Sequence, residues 1–397
     1  MVTTHSPASP SQPRLIAVLA LVFALRMFGL FLLLPVFVIY GMELVNATPV
    51  LVGTAIGIYG LTQALLQIPL GMLSDRYGRR PLILFGLLLF IAGGAVAALS
   101  DHIIGVILGR AIQGAGAISS VIMALVADVV SEQRRTRAMA LLGMSIGAAF
   151  VLAMVLGPVL ASELGLAGLF WISSGLGVLA LLLVWWTVPA GSPGGVMLGG
   201  IDQWRALRGN HALWRLAAGI FVLHLVMTAL FVLLPARLSA MPSLAVAAHS
   251  WVYLAVMLIS FLLMVPLILL SERGSPRRAM LIAIALLALA CGALLLPVAG
   301  LPWLLLLLVV FFAGFNALEA MLPSLASRTV PATLRGRAMG LYSSCQFLGV
   351  FAGAQLAGLL GSGGVLLPLM LLLLLVWAVL VASMSNTTVA PSLATEQ

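Results

Sequence analysis

The sequence predicts an all-α membrane protein of twelve transmembrane helices, built as two related halves of six. Three observations carry that prediction: extreme apolarity, an alternating placement of arginines, and an internal repeat. Of 397 residues, 63% are hydrophobic and 7% charged, against about 25% charged in a soluble domain. Water is therefore not the solvent of most of the surface, and the chain is better counted in bilayer crossings of about 20 residues. The net charge is +9, and all nineteen basic residues are arginine. They stand in short clusters between apolar runs and form no single basic face, which speaks for a lipid bilayer as partner and against nucleic acid. Cys291 and Cys345 lie in separate apolar runs without ligand or disulfide spacing, so both read as packing residues and no metal is expected.

Residues 1–13 are rich in Ser, Pro and Thr and are expected to form a disordered cytoplasmic N-terminus. The apolar run after Arg14 is too long for the core of a cleaved leader and reads as the first span. Apolar runs place spans 1 to 6 at about 14–40, 49–71, 81–99, 103–128, 137–162 and 165–188, and spans 7 to 12 at about 212–237, 248–271, 278–299, 302–327, 337–360 and 363–384. One set of connections and ends carries sixteen arginines, among them Arg76, Arg79, Arg80, Arg134, Arg135 and Arg137, whereas the opposite set carries Arg237 alone. By the positive-inside rule both termini face the cytoplasm. The interruption at 189–211 begins with Pro189, Gly191, Pro193, Gly194 and Gly195. It reads as a cytoplasmic linker between bundles 14–188 and 212–384, with 385–397 as a cytoplasmic tail.

Two matches across that linker expose the repeat. Leu73-Ser74-Asp75-Arg76 corresponds to Leu270-Ser271-Glu272-Arg273, and Arg137-Ala138-Met139-Ala140-Leu141 to Arg337-Ala338-Met339-Gly340-Leu341, at nearly one offset close to half the chain. Repeats in a helical membrane protein imply a pseudo-twofold axis and a site near the midplane that rocking halves expose to either side. A duplication with no such role is the plainer alternative.

After span 2 the chain reads Gly71-Met72-Leu73-Ser74-Asp75-Arg76-Tyr77-Gly78-Arg79-Arg80, which resembles the G-x-L-x-D-R-x-G-R-R/K signature of the major facilitator superfamily at every fixed position. Gly71 permits close helix approach, Gly78 a turn with positive φ, and the arginines suit anionic head groups. Asp75 read plainly is a surface ion pair worth under about 1 kcal/mol. The resemblance implies instead a cytoplasmic latch between halves, through the N-terminus of span 11 near Arg337, with Asp128 in the same charge network; a helix N-terminus attracts a carboxylate. Arg110-Ala111-Ile112-Gln113-Gly114-Ala115-Gly116 and, in span 5, Gly143, Gly147 and Gly157-Pro158 resemble motifs of the drug:proton antiporter branch, although Leu160 and Ala161 stand where a glycine pair is usual. Three runs, Ala24–Phe31, Gly57–Ala64 and Ala317–Leu325, resemble YajR-type transporters. That group carries a soluble C-terminal domain, and regulation by such a domain is expected to be absent here.

Few ionisable residues fall deep within the spans, where a charge costs several kcal/mol unless it faces a cavity or a partner. They are Arg26, Arg110, His224 and Glu319, one on each of spans 1, 4, 7 and 10, the spans that line the central cavity in the fold this resemblance implies. The same likeness places Tyr59, Gln63, Gln113 and Asn316 at that cavity with Arg26 and Arg110. Arg110 has a second reading as a helix tie, satisfied by carbonyls and by Gln113 one turn away. Glu319 is the best candidate proton carrier, because a carboxyl in an apolar cavity holds its charge at a cost and exchanges a proton as the cavity opens. His224 either assists or is a hydrogen-bonded packing residue.

The expectation is a monomeric inner-membrane exporter, by proton antiport, of small amphipathic or drug-like compounds. It would have no cofactor beyond the proton gradient, and its partners would be the substrate, protons and lipid. A symporter or facilitator for a nutrient or metabolite is the alternative on the same fold. A membrane-embedded transferase would need clustered carboxylates or a nucleophile with its base, and the ten acidic residues are too scattered for that.

Overall fold

In hydrocarbon every backbone polar group must be satisfied within its own segment, so each apolar run between arginine clusters has helix as its one solution. The computed structural model describes residues 12–130, 132–189, 201–239, 245–297, 300–331, 334–361 and 364–384. In chain order its helices are α1 Gln12–Phe31, α2 Phe37–Gly41, α3 Pro49–Tyr77, α4 Arg79–Ala98, α5 Ile103–Ala115, α6 Ser119–Val129, α7 Glu132–Thr187, α8 Ile201–Arg208, α9 His211–Ser239, α10 His249–Glu272, α11 Pro276–Ala293, α12 Leu301–Arg328, α13 Arg335–Leu360 and α14 Leu366–Ala382. Among the described residues, ten helices are long and apolar enough to cross a membrane, with α14 a shorter apolar one. One of the ten lies within α7, which contains a non-helical turn at Gly165, φ 63°. Beyond it the chain runs back along α4, with Gly177 against Phe90 and Arg80 bonded to Trp185 O. Counting both limbs of α7 and α14, the architecture is consistent with twelve crossings.

The helices depart from the expected spans in four places. Span 1 breaks at residues 32–36, because Pro35 has no N–H to continue the ladder; Leu34 N bonds Phe31 O, and Phe37 N bonds Leu33 O to restart it. Span 4 unwinds at 116–118, between α5 and α6. There Gly116 packs so closely on Gly86 that a Cβ would stand 2.2 Å from its carbonyl oxygen. Spans 5 and 6 form the single element α7. Within the expected linker, 201–208 form α8, while 190–200 lie outside the described residues. The expected disordered N-terminus overlaps the described chain only at Gln12 and Pro13, which begin α1, and the expected tail 385–397 is outside it.

The repeat is visible in the contacts as well as the sequence. Gln63 Nε2 donates to Ser119 Oγ (3.4 Å) in the first half, and Asn316 Nδ2 donates to Ser260 Oγ (3.0 Å) in the second. Likewise Arg80 caps Trp185 O and Arg277 caps Ala382 O. Each partner stands 197 positions from its counterpart. The ends of the bundle are accordingly named by sequence: the basic end carries Arg76, Arg79, Arg80 and Arg277, and the far end carries Arg237.

The halves meet along α3 and α13. These run antiparallel in one register, with Gly53 against Ala354, Gly57 against Phe351, Gly60 against Phe347 O, and Ser344 Oγ donating to Ala64 O at 3.0 Å. On its other side α13 is pressed onto α9, where a Cβ at Gly349 would stand 2.3 Å from Phe221 O and one at Gly353 2.2 Å from Leu225 O. Small residues allow this backbone approach, which is how helices gain packing energy in lipid. Toward the far end an aromatic chain crosses between halves, from Phe31 to Phe150 (5.1 Å between centroids), Phe150 to Phe231 (6.3 Å), and on to Phe312 (5.9 Å).

Gly353→Leu should therefore lower the thermal unfolding temperature in detergent, since overpacking costs about 1–3 kcal/mol or more. Gly143→Ala, at a position with nothing within 4 Å, should leave that temperature unchanged.

Candidate functional site

The deep polar side chains gather into two clusters, one in each half. In the first half, Arg26 donates to Gln63 Oε1 (2.8 Å), Ser119 Oγ (3.1 Å) and Gly116 O (3.1 Å). The last of these bonds explains the unwound turn, because a carbonyl freed from the α5 ladder is taken up by a guanidinium. Arg110 donates to Ala55 O, Ile56 O and Gln113 Oε1 at 3.3 to 3.4 Å. The Tyr59 ring lies 5.9 Å from the Arg26 guanidinium and 4.8 Å from that of Arg110. Ring faces and carbonyls substitute for counter-ions, since the described ion pairs include neither arginine. Arg26, Tyr59, Gln63, Arg110, Gln113 and Asn316 are each no more than 7% exposed. Of the residues expected at the central cavity, Arg26 pairs with Gln63 and Arg110 with Gln113, while the Tyr59 hydroxyl is buried without a partner; two guanidiniums without carboxylates collect neutral acceptors within reach.

The second cluster joins three helices. His224 on α9 lies 13 residues, about 20 Å, from the basic end of its helix, and Glu319 on α12 lies 9 residues, about 14 Å, from that end. Between them stands Gln346 of α13, whose Nε2 is 2.9 Å from His224 Nε2 and 3.2 Å from Glu319 Oε1. His224 Nδ1 is 3.2 Å from Ile220 O, and Phe315 closes one side with ring centroids 5.8 Å apart. Glu319 Oε2 is buried with no hydrogen-bond partner, 3.7 Å from His224 Nε2. Three residues earlier, Asn316 ties α12 to α10 through Ser260. Glu319 and His224 were anticipated from their charge; Gln346 was not, because a neutral amide among Ser, Cys and Gly residues carries no comparable signal.

The model of the Major Facilitator Superfamily matches residues 19–354 and 238–394. The chain belongs to the major facilitator superfamily. It is a membrane transporter of that kind and not an enzyme. It is 44% identical over 357 residues to the inner membrane transport protein YajR of Escherichia coli, covering 88% of this chain and 78% of that protein. It is 34% identical over 348 residues to an uncharacterized transporter of Buchnera aphidicola, covering 86% and 88%. A crystal structure of a D-xylose–proton symporter superposes with a TM-score of 0.72 at 15% identity, covering 94% of this chain and 98% of that one, a likeness of fold alone.

The superfamily signature folds at the junction of α3 and α4. Gly78 has φ 93°, a conformation that favours glycine, and a Cβ at Gly71 would meet Ser120 Oγ of α6 at 3.3 Å. The turn aims Arg79 back under the bundle, where it bridges Asp75 (2.5 Å) and Asp128 (2.9 Å) and donates to Ser74 Oγ (2.6 Å). Arg80 lies 5.1 Å over the Trp185 ring, and Arg76 lies exposed against Tyr77 at 5.4 Å. Gly340 of α13 faces Ile68 of α3, and continuing that register brings Asp75 level with the N-terminus of α13. In α7, Gly157 packs on Leu32 O and Pro35, at the break in span 1, with Pro158 following it, whereas Gly147 has no such neighbour within 4 Å.

Arg79 is the hub of this network and its side chain is 6% exposed. Arg79→Ala should lower stability by about 1–3 kcal/mol, as two carboxylates lose their partner. Asp75→Asn should leave the unfolding temperature near wild type, because the deep clusters stay intact, while slowing transport if the latch that the signature's resemblance implies operates. Thermal unfolding and transport measured on the same preparations separate these outcomes.

Proposed function

We propose that the protein is a proton-driven exporter of small amphipathic organic compounds, working by alternating access with both termini in the cytoplasm and functioning as a monomer. The observation that carries this reading is the Glu319–Gln346–His224 cluster. It sets a carboxyl with a partnerless oxygen beside an imidazole, near the middle of a roughly 30 Å hydrocarbon layer. A carboxylate there is costly unless it is neutralised, so proton binding and release at Glu319 are tied to which side the cluster faces, and His224 tunes the carboxyl. The basic end, rich in arginine, faces the cytoplasm by the positive-inside rule. Phe315, which closes one side of the cluster, and Phe311 stacked on it suit apolar parts of a substrate. Export is favoured over uptake by the glycine-proline element of α7, which seats Gly157 against the break in span 1.

The test is purified protein in proteoliposomes with an imposed pH gradient, screened against lipophilic dyes and drug-like compounds. Wild type should move a compound uphill against proton flow. Glu319→Gln, which keeps size and hydrogen bonding, should retain downhill exchange and lose uphill transport to the level of protein-free liposomes. His224→Ala should shift the pH optimum with a smaller loss. Uphill transport by Glu319→Gln at the wild-type rate contradicts the reading, and accumulation in the direction of proton flow would favour a symporter.

A further inference from the structure

Gln346 occupies a position that the proton-carrying role of Glu319 does not by itself require. Its amide nitrogen has two hydrogens, and both are directed at titratable groups on different helices, His224 Nε2 at 2.9 Å and Glu319 Oε1 at 3.2 Å. The tautomer of His224 follows from its other contact. Ile220 O accepts only, so Nδ1 at 3.2 Å carries a hydrogen, and Nε2 presents a lone pair to the Gln346 donor. The structure thus holds a neutral imidazole and an accepting carboxyl, kept 3.7 Å apart by an amide that occupies the acceptor of one and an oxygen of the other.

The backbone of Gln346 sits where α13 is clamped. Ser344 is bonded to Ala64 O of α3, Phe347 O lies against Gly60 of α3, and Gly349 lies against Phe221 O of α9. Phe221 follows Ile220, the residue that orients His224. Within about one and a half helical turns, α13 therefore touches the proton cluster, its own half and the opposite half. Among the described residues, the titratable groups facing the cluster are Glu319 of α12 and Tyr342 and Cys345 of α13; α3 presents Gly57, Gly60 and Ala64 to this stretch of α13.

We propose that Gln346 is a positioning residue that converts protonation of the His224–Glu319 pair into movement of α13 against α3. The proposal rests on the proton-coupled reading above. A proton from hydronium adds to the partnerless Oε2 of Glu319, forming an O–H bond, breaking none in the protein and leaving water behind, and the pair goes from a net charge of −1 to zero. That O–H is a second donor beside the Gln346 amide, and the His224 Nε2 lone pair, 3.7 Å from Oε2, accepts from one donor at a time. Carboxylic acid and imidazole close on each other, and the Gln346 amide turns away from both. The bonds that tied α13 at this level to α9 and α12 are then lost, which frees α13 to shift along its glycine-lined contact with α3. Loss of the proton restores those bonds.

The test uses full-length protein in nanodiscs with spin labels at Tyr77→Cys and Gly336→Cys, in a background with Cys291→Ala and Cys345→Ala. Inter-label distances are recorded from pH 5 to pH 8 without substrate. Wild type should show two distance populations whose ratio follows pH. Gln346→Leu, which removes both hydrogen bonds at similar size, should keep both populations but lose the pH dependence, or move its midpoint by about one unit or more, a tenfold change in proton affinity. Gln346→Glu, which keeps length and adds a carboxylate beside the imidazole, should move the midpoint to higher pH and serves if the leucine variant does not fold. A wild-type midpoint in a folded variant overturns the role of Gln346 while leaving Glu319 as proton carrier. A wild-type protein whose distances ignore pH, together with uphill transport by Glu319→Gln, overturns the underlying reading and this proposal with it.

Discussion

A polar group carried into hydrocarbon must find its partner inside the protein, because lipid offers none. That constraint decides more of this structure than any single contact. It makes each apolar run helical, and at the break in span 4 Arg26 takes up the freed Gly116 O. It also gathers the deep side chains into two clusters. In the first half, two guanidiniums are held by carbonyls, amides and the Tyr59 ring, while Arg26 Nε and the Tyr59 hydroxyl stay buried without a hydrogen-bond partner. Such a cluster ties its helices together and suits a rigid body. In the second half, one carboxylate oxygen is left without a donor. Such a cluster is open to one more proton.

Where the clusters sit relative to the seam matters as much as their chemistry. Glycines bring α13 against α9 on one side and α3 against α13 on the other, so α13 belongs mechanically to both halves. At the basic end the same two helices lead to the Asp75–Arg79–Asp128 network. A change of hydrogen bonding at Gln346 and a change of charge at Asp75 would therefore act on one helix pair, about 17 Å apart along α13. The aromatic chain from Phe31 to Phe312 joins the halves on the other side of the midplane. Packing of this kind is bistable more readily than it is deformable, which is what alternating access needs.

Much of the fold was legible in the sequence because its two strongest signals, apolar run length and arginine placement, are local. Arg79, Asp75 and Asp128 were legible as a charge network because charges are rare and conspicuous in such a chain. The breaks were not. Span 1 reads as unbroken through Pro35 in the sequence, and the unwinding at 116–118 depends on a guanidinium from a helix some ninety positions earlier. Arg26 and Arg110 are expected at the central cavity from their depth and from the spans that line it in the resembled fold, with a helix tie as the second reading of Arg110. Its partners here, two carbonyls and Gln113, are those of a tie, and depth along a helix does not say which way a side chain turns. Gln346 stayed hidden because an amide becomes informative only when three helices place titratable groups at both of its hydrogens.

The account turns on Glu319 exchanging a proton in the membrane interior, and infrared difference spectroscopy reads this directly. Spectra of the protein in lipid, taken across a pH titration, report the carbonyl stretch of a protonated carboxylic acid. The account predicts such a band that grows as pH falls and is missing in Glu319→Gln. A titration with no such band, or one unchanged by the substitution, would contradict it.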